Sequence, residues 1–289
     1  MLLLLLAAFW GHSFLFIKLA VHSVPPLWIV TARMTVGGLL LLAIVTASRQ
    51  PLPRDPRMLA TLAFAGIAGA ALPWAGQAWA QRYLDSGLTA VLNSFTPVAT
   101  LVLAVLAGQE RMHKYRVIGL SLAVLGMITV VGGEMGSGKS APALLMAVFA
   151  TAGYAIGSVV TRARVSGRVR NLPAAAVQVV AGAFAVAPLA WTSSGPPPTH
   201  LAPGVLAALA ALGVLGTGLG FLIYFTLIER VGATNATMVT YLAPVVGLAS
   251  GAAFRGEHFG LNVFVGAALL IGGVWVSQKQ PAAVIRPSM

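Results

Sequence analysis

The chain is a succession of ten apolar runs, each about as long as a bilayer is thick, joined by short polar gaps. Crossing a hydrocarbon core of about 30 Å takes roughly 17 to 25 apolar residues in a helix. Such runs fall at 1–18, 26–47, 58–81, 86–107 and 117–133, and again at 141–161, 172–192, 201–228, 231–254 and 259–278. In lipid a backbone N–H or C=O must be satisfied within the protein, which predicts helices for runs of this length. Composition agrees. Of 289 residues 58% are hydrophobic and 8% charged, about a third of the share in an ordinary soluble domain. The expected fold is an all-α membrane protein with ten transmembrane helices.

The first run, MLLLLLAAFW, lacks the basic leader of a cleaved signal and continues into Trp10, His12 and Lys18, so it reads as a retained helix. The natural start is left open upstream of Met1. A net charge of +12 would suit a nucleic-acid binder in a soluble protein. Here the basic residues sit in the gaps, where they face a membrane surface, and no nucleic-acid partner is expected. There is no cysteine, which excludes disulfides and thiolate metal sites. Neither a cofactor nor a metal is expected.

Lys and Arg are retained on the cytoplasmic side of a membrane. With an internal N-terminus, the inner gaps and tail hold Arg49, Arg54, Arg57, Arg111, Lys114, Arg116, Arg162, Arg164, Arg168, Arg170, Arg230, Lys279 and Arg286. The outer gaps hold Lys18, Arg82, Lys139 and Arg255. Thirteen against four is expected to place both termini in the cytoplasm and makes the span number even.

Shifting the chain against itself by 147 residues aligns Gly66, Gly69 and Leu72 with Gly213, Gly216 and Leu219. It aligns Pro97, Val98 and Leu101 with Pro244, Val245 and Leu248. Glu110 meets Glu257, Gly119 meets Gly266 and Gly126 meets Gly273. The glutamate match carries weight because the chain has six acidic residues in all. Residues 1–135 read as one five-helix repeat and 141–280 as a second, with 136–140 connecting them. Five is odd, so the second copy enters the membrane inverted. Inverted repeats are a transporter architecture, in which exchanging the conformations of the two halves exchanges inward and outward access. The solute path then lies between them.

Three stretches, FWGHSFLFIKLA, GLTAVLNSFTPVATLVLAVLAGQE and ATNATMVTYLAPVVGLASGAAFRGE, resemble the drug/metabolite transporter superfamily, in its ten-helix EamA-like branch. Each of the last two carries a proline followed 13 residues later by a glutamate. The resemblance covers nearly the whole chain and comes nearest to bacterial aromatic amino-acid exporters. It implies a carrier, not an enzyme, that exports small amphiphilic metabolites; a monomer is expected. Aromatic or large neutral amino acids are the expected cargo; other efflux solutes (cationic or nucleotide-like) and lipid scrambling are the alternatives.

Residues 133–140, GEMGSGKS, fit the phosphate-binding pattern G-x-x-x-x-G-K-S. The apolar run before it is a membrane span and not a short strand, and neither aspartate, Asp55 or Asp85, follows a strand that could hold magnesium. A loop joining the repeats is expected, with no nucleotide partner.

Candidate site residues come from polar and aromatic positions within the spans. Pro97 and Pro244 have no N–H to donate to the carbonyls of Asn93 and Thr240, so kinks or hinges are expected there. Ser94, Thr237 and Tyr241 lie on neighbouring turns. The glycine-rich third and eighth spans add Trp74, Gln77 and Tyr224. Trp10, His12 and Phe14 lie in the first span, Tyr154 and Ser158 occupy the corresponding stretch of the sixth, and Trp10-Gly11 matches a pair typical of the resembled family. Gln178 adds an amide. His12 is a candidate proton carrier, since an unperturbed imidazole titrates near 6.5. Arg33 is the one charge well inside a span, a third of the way from the outer face. It suits a substrate carboxylate, or equally snorkelling outward or a structural contact to backbone carbonyls. No carboxylate lies at mid-span, so movement down a gradient is expected.

Overall fold

The computed structural model describes residues 1–232 and 236–279. Eight helices are long and apolar enough to cross a membrane: α1 (Leu2–Ala20), α2 (Pro26–Ala47), α3 (Pro56–Ala80), α4 (Ser86–Leu106), α5 (Lys114–Gly136), α6 (Ala141–Arg164), α7 (Asn171–Ser194) and α8 (Pro203–Val231). Two apolar helices of 17 residues follow, α9 (Val239–Arg255) and α10 (Leu261–Ser277), each about 25 Å long at 1.5 Å per residue. The protein is therefore a multi-pass membrane protein, with ten such helices among the described residues. Prolines open several of them, at Pro26, Pro56 and Pro203, where a missing N–H costs nothing. Asp55 caps α3 by accepting from the N–H groups of Met58 at 3.0 Å and Arg57 at 3.4 Å.

Helix pairing follows the repeat. Helix α5 packs on α10, α2 on α7 and α4 on α9, each joining a helix to its own counterpart. The remaining large contacts come in exchanged pairs: α1 with α9 and α6 with α4, α3 with α6 and α8 with α1, α3 with α7 and α8 with α2. The halves are inverted, because each counterpart pair is antiparallel. A methyl added at Gly119 would meet the Gly273 oxygen at 2.4 Å, and one at Gly126 the Gly266 oxygen at 2.6 Å. Rising numbers on α5 thus meet falling numbers on α10. Gly38 lies against Val180 and Gly182 against Met34, and Ala90 faces Gly247 while Ser86 approaches Gly251, with the same sense.

Helices α3 and α8 share an irregularity at equivalent places. Each contains one π-helical segment, Ile67–Ala71 in α3 and Val214–Leu219 in α8, whose starts are again 147 positions apart. Each also touches the other half closely at an equivalent glycine, Gly69 and Gly216. In the first, Gly69 meets Gly157 of α6, where either methyl would fall within 2.6 Å of the facing backbone. In the second, Gly216 meets Ser13 of α1.

The two prolines behave differently. Helix α4 is interrupted by a turn at Ser94–Phe95, just ahead of Pro97. Pro244 lies inside a continuous α9, and the turn on that side comes earlier, at Thr237–Met238. Part of the ninth expected span, residues 233–235, lies outside the described residues.

Candidate functional site

Arg33 is the centre of the arrangement. It is 6% exposed and lies about two turns into α2. Its Nε donates to the Thr217 hydroxyl at 2.9 Å and its Nη2 reaches the Gly216 carbonyl at 3.4 Å. Its guanidinium carbon stands 3.8 Å above the Trp74 ring, a cation–π contact worth about 2 kcal/mol when desolvated. Tyr154 is the titratable group beside it among the described residues. A guanidinium has five N–H donors; these contacts engage two. The π-helical segment of α8 presents the partners: Thr217 accepts from Arg33 while donating to the Leu212 carbonyl at 3.1 Å.

Aromatic side chains continue from this point. Trp74 and Tyr154 share one packed cluster with Phe221 and Phe225. The Trp10 ring lies 5.3 Å from Tyr224 and 6.5 Å from Phe221, and Phe221 stacks on Phe225 at 6.0 Å. Trp10, Tyr154, Tyr224 and Phe221 are half-buried although they sit mid-helix, facing the other half. One turn beyond Trp74, buried Gln77 donates from Nε2 to Asn93 Oδ1 at 2.6 Å. Thr96 in turn donates to the Asn93 carbonyl at 2.7 Å. Two amides and a hydroxyl thereby bridge α3 to the break in α4.

Trp10, Arg33, Trp74, Gln77, Asn93, Tyr154 and Tyr224 are thus expected site residues gathered around the α3 and α8 irregularities. Phe14 is buried on the inward face of α1, and buried Ser94 turns its hydroxyl back to the Val91 carbonyl at 2.6 Å. Others lie elsewhere. His12 is two residues from Trp10, hence about 200° round the helix. Its Nδ1 is 2.8 Å from the Ala8 carbonyl and its ring lies between Phe16 and Phe254, the latter 71% exposed. It does not join the Arg33 group. Ser158 is exposed, because the tight α6–α3 contact is at Gly157 and the next residue is turned about 100° away. Gln178 donates to the Thr161 hydroxyl at 3.3 Å toward the arginine-rich end. Tyr241 packs against the buried cluster to which Leu88, Leu92 and Leu270 belong, in the α4–α5–α10 core. Thr240 donates to the Thr237 carbonyl at 2.8 Å, so its hydroxyl serves the turn before α9, in which Thr237 lies. Sequence reasoning passed over Ser13, Thr217, Phe221 and Phe225. The repeat itself held the signal for one of them, since Phe221 is the 147-residue counterpart of Trp74.

The phosphate-loop-like stretch has a different geometry. Gly133 to Gly136 are the last turn of α5. Glu134 accepts from Asn262 Nδ2 at 2.9 Å, and Lys139 pairs with Asp85 at 2.6 Å. At the same end, Lys18 Nζ donates to the carbonyls of Gln81 at 2.9 Å and Leu84 at 2.7 Å. At the arginine-rich end Glu110 pairs with Arg116 at 2.8 Å and with Arg162 of the other half. Neither repeat-matched glutamate uses its neighbour: Glu110 passes over Arg111, and Glu257 passes over Arg255.

The model of the EamA-like transporter family matches this chain twice, over residues 1–132 and 141–278. The chain is an EamA-like transporter. The double match falls on the two halves that the helix pairing relates. Named relatives of this transporter agree along their length. An uncharacterized transporter of Bacillus subtilis (strain 168), YvbV, is 27% identical over 99% of this chain and 94% of its own. A protein of Escherichia coli (strain K12) named a probable amino-acid metabolite efflux pump is 25% identical, over 96% and 93%. A probable terminal-alkyne amino-acid exporter of Streptantibioticus cattleyicolor is 27% identical, over 96% and 92%. A solved crystal structure superposes with a TM-score of 0.68 at 19% identity, covering 96% of this transporter and 95% of that chain, and shares the fold.

Proposed function

We propose that this EamA-like transporter exports small amphiphilic metabolites bearing a carboxylate, with aromatic or large neutral amino acids as the cargo. Movement is by alternating access, through a site between the halves. The observation that carries this reading is Arg33: a buried guanidinium with three N–H groups uncommitted and no carboxylate beside it among the described residues. An uncompensated charge at membrane depth is costly, and a solute carboxylate relieves that cost. Trp74, Tyr154, Phe221, Trp10 and Tyr224 then offer faces for an apolar side chain, with the Gln77–Asn93 amides for a neutral polar group. A cationic solute would meet Arg33 as a like charge, which disfavours the cationic alternative. Two relatives named for amino-acid efflux support the export direction.

The thirteen basic residues counted in the inner gaps and tail of the sequence, against four in the outer gaps, support a cytoplasmic position for that side, and a relative named an inner membrane transporter supports the bacterial inner membrane. The set-apart position of His12 favours movement without a proton relay through it. The test is counterflow of labelled phenylalanine and leucine in proteoliposomes. Uptake expected for the wild type is lost in Arg33→Gln. Absence of counterflow across aromatic and large neutral amino acids removes the reading.

A further inference from the structure

A groove of about 500 Å³ opens on the outer flank, between α2, α3, α6 and α7 at the end opposite the arginine-rich loops. That volume is in the range of ligand pockets, about 300–1,000 Å³. Its walls are apolar, from Leu27, Leu72, Trp79 and Met146, and its floor is widened by Gly76. A methyl at Gly76 would already touch the Met146 sulfur at 3.3 Å. Leu72 is 55% exposed, so the groove faces the bilayer and not the solute site. Arg82 stands at its mouth, exposed.

Two observations fix what chemistry suits this groove. The first is depth. Trp79 packs on Tyr83 at 5.3 Å and Trp28 on Trp191 at 6.4 Å around the same end, and aromatic pairs of this kind mark the headgroup level. The second is charge. Each acidic side chain at this end is engaged: Asp85 by Lys139, Glu257 by Ser86 and Gly87, Glu134 by Asn262. Arg82 has no carboxylate partner among the described residues. An apolar trough with an unpaired guanidinium at headgroup depth is complementary to a chain with an anionic head.

We propose that this groove binds one anionic phospholipid, an acyl chain lying along Leu72, Gly76 and Met146 and its phosphate held by Arg82. The test uses delipidated full-length protein in detergent, titrated with dioleoyl phosphatidylglycerol or dioleoyl phosphatidylcholine and read by native mass spectrometry. The first lipid is expected to bind about fivefold more tightly when anionic, the worth of one basic residue at a charged surface. Arg82→Gln brings the two lipids to parity, while Arg230→Gln, an exposed charge at the other end, keeps the preference. Equal binding by the wild type, or a preference that survives Arg82→Gln, overturns the proposal. So does displacement of the lipid by soluble glycerol 3-phosphate, which would mark an anion site without a chain.

Discussion

The carboxylate of Glu257, in the turn between α9 and α10, caps the first turn of α4 in the opposite half. One oxygen accepts from both the backbone N–H and the hydroxyl of Ser86 at 2.8 Å, and the other from the Gly87 N–H at 3.0 Å. A helix start leaves N–H groups without partners, and here the cap comes from 171 positions away in the chain. Glu257→Ala is expected to lower stability by about 1–2 kcal/mol, the cost of a lost cap, seen as a lower melting temperature in detergent. Glu257→Gln, which keeps an acceptor but loses the charge, should fall between.

Arg33 and His12 separate the site from its surroundings. Arg33→Lys keeps the charge but loses the planar fork that reaches Thr217, Gly216 and Trp74 together, so it is not a mild change. Transport of carboxylate solutes should drop about tenfold or more, with the protein still folded. His12→Gln, at the Phe254 side of α1, should leave counterflow within twofold of the wild type. Matching losses in both variants would remove the assignment of the site to Arg33.

The α5–α10 contact predicts opposite outcomes for two glycines on one helix. At Gly126 a methyl would be 2.6 Å from the Gly266 oxygen and 2.7 Å from the Leu270 nitrogen, both backbone atoms, whereas at Gly132 nothing lies within 4 Å. Gly126→Ala should destabilise by about 1–3 kcal/mol through overpacking. Gly132→Ala should be neutral or stabilising by up to about 1 kcal/mol through helix propensity. Thermal unfolding of the two in the same detergent distinguishes them.

Glu110 gives a pH dependence with a definite sign. Its hydrogen bond to Arg162, and then that to Arg116, hold its carboxyl below the ordinary glutamate value of 4.5. A depressed folded-state value contributes stability above the unfolded value, lost as pH falls through the folded one. Wild type should therefore melt higher than Glu110→Gln at pH 7, with the gap closing below about pH 4.5. A gap that persists under stronger acid would contradict the ion-pair account. The side chain is 24% exposed, so the effect is small.

Span number, loop charge and the 147-residue offset were legible because lipid imposes length and composition on every helix. The glycines at 119, 126, 266 and 273 appear in the sequence as two matches. That 119 lies on 273 and 126 on 266 follows only once the halves are set antiparallel. Arg33 was visible as a lone charge in an apolar run, yet its partner Thr217 was hidden, since one threonine among glycines carries no mark of a contact 184 positions away. His12 and Ser158 lie apart from the Arg33 group for a related reason: polarity says that a residue wants a partner, while helix rotation decides which neighbour it meets.

The π-helical segments in α3 and α8 amount to one surplus residue spliced into each helix. Because a residue is worth about 100° of turn, everything past the splice faces a different direction from what an uninterrupted helix would give. In α3, the stretch before it buries Leu62, Ala65 and Gly66, and the stretch after it buries Pro73, Trp74 and Gln77. A single-residue deletion between 67 and 71 would swing Trp74 and Gln77 away from Arg33 and Asn93 while leaving composition and span length almost untouched. The aim of the site in each half thus depends on where one residue too many has been stored.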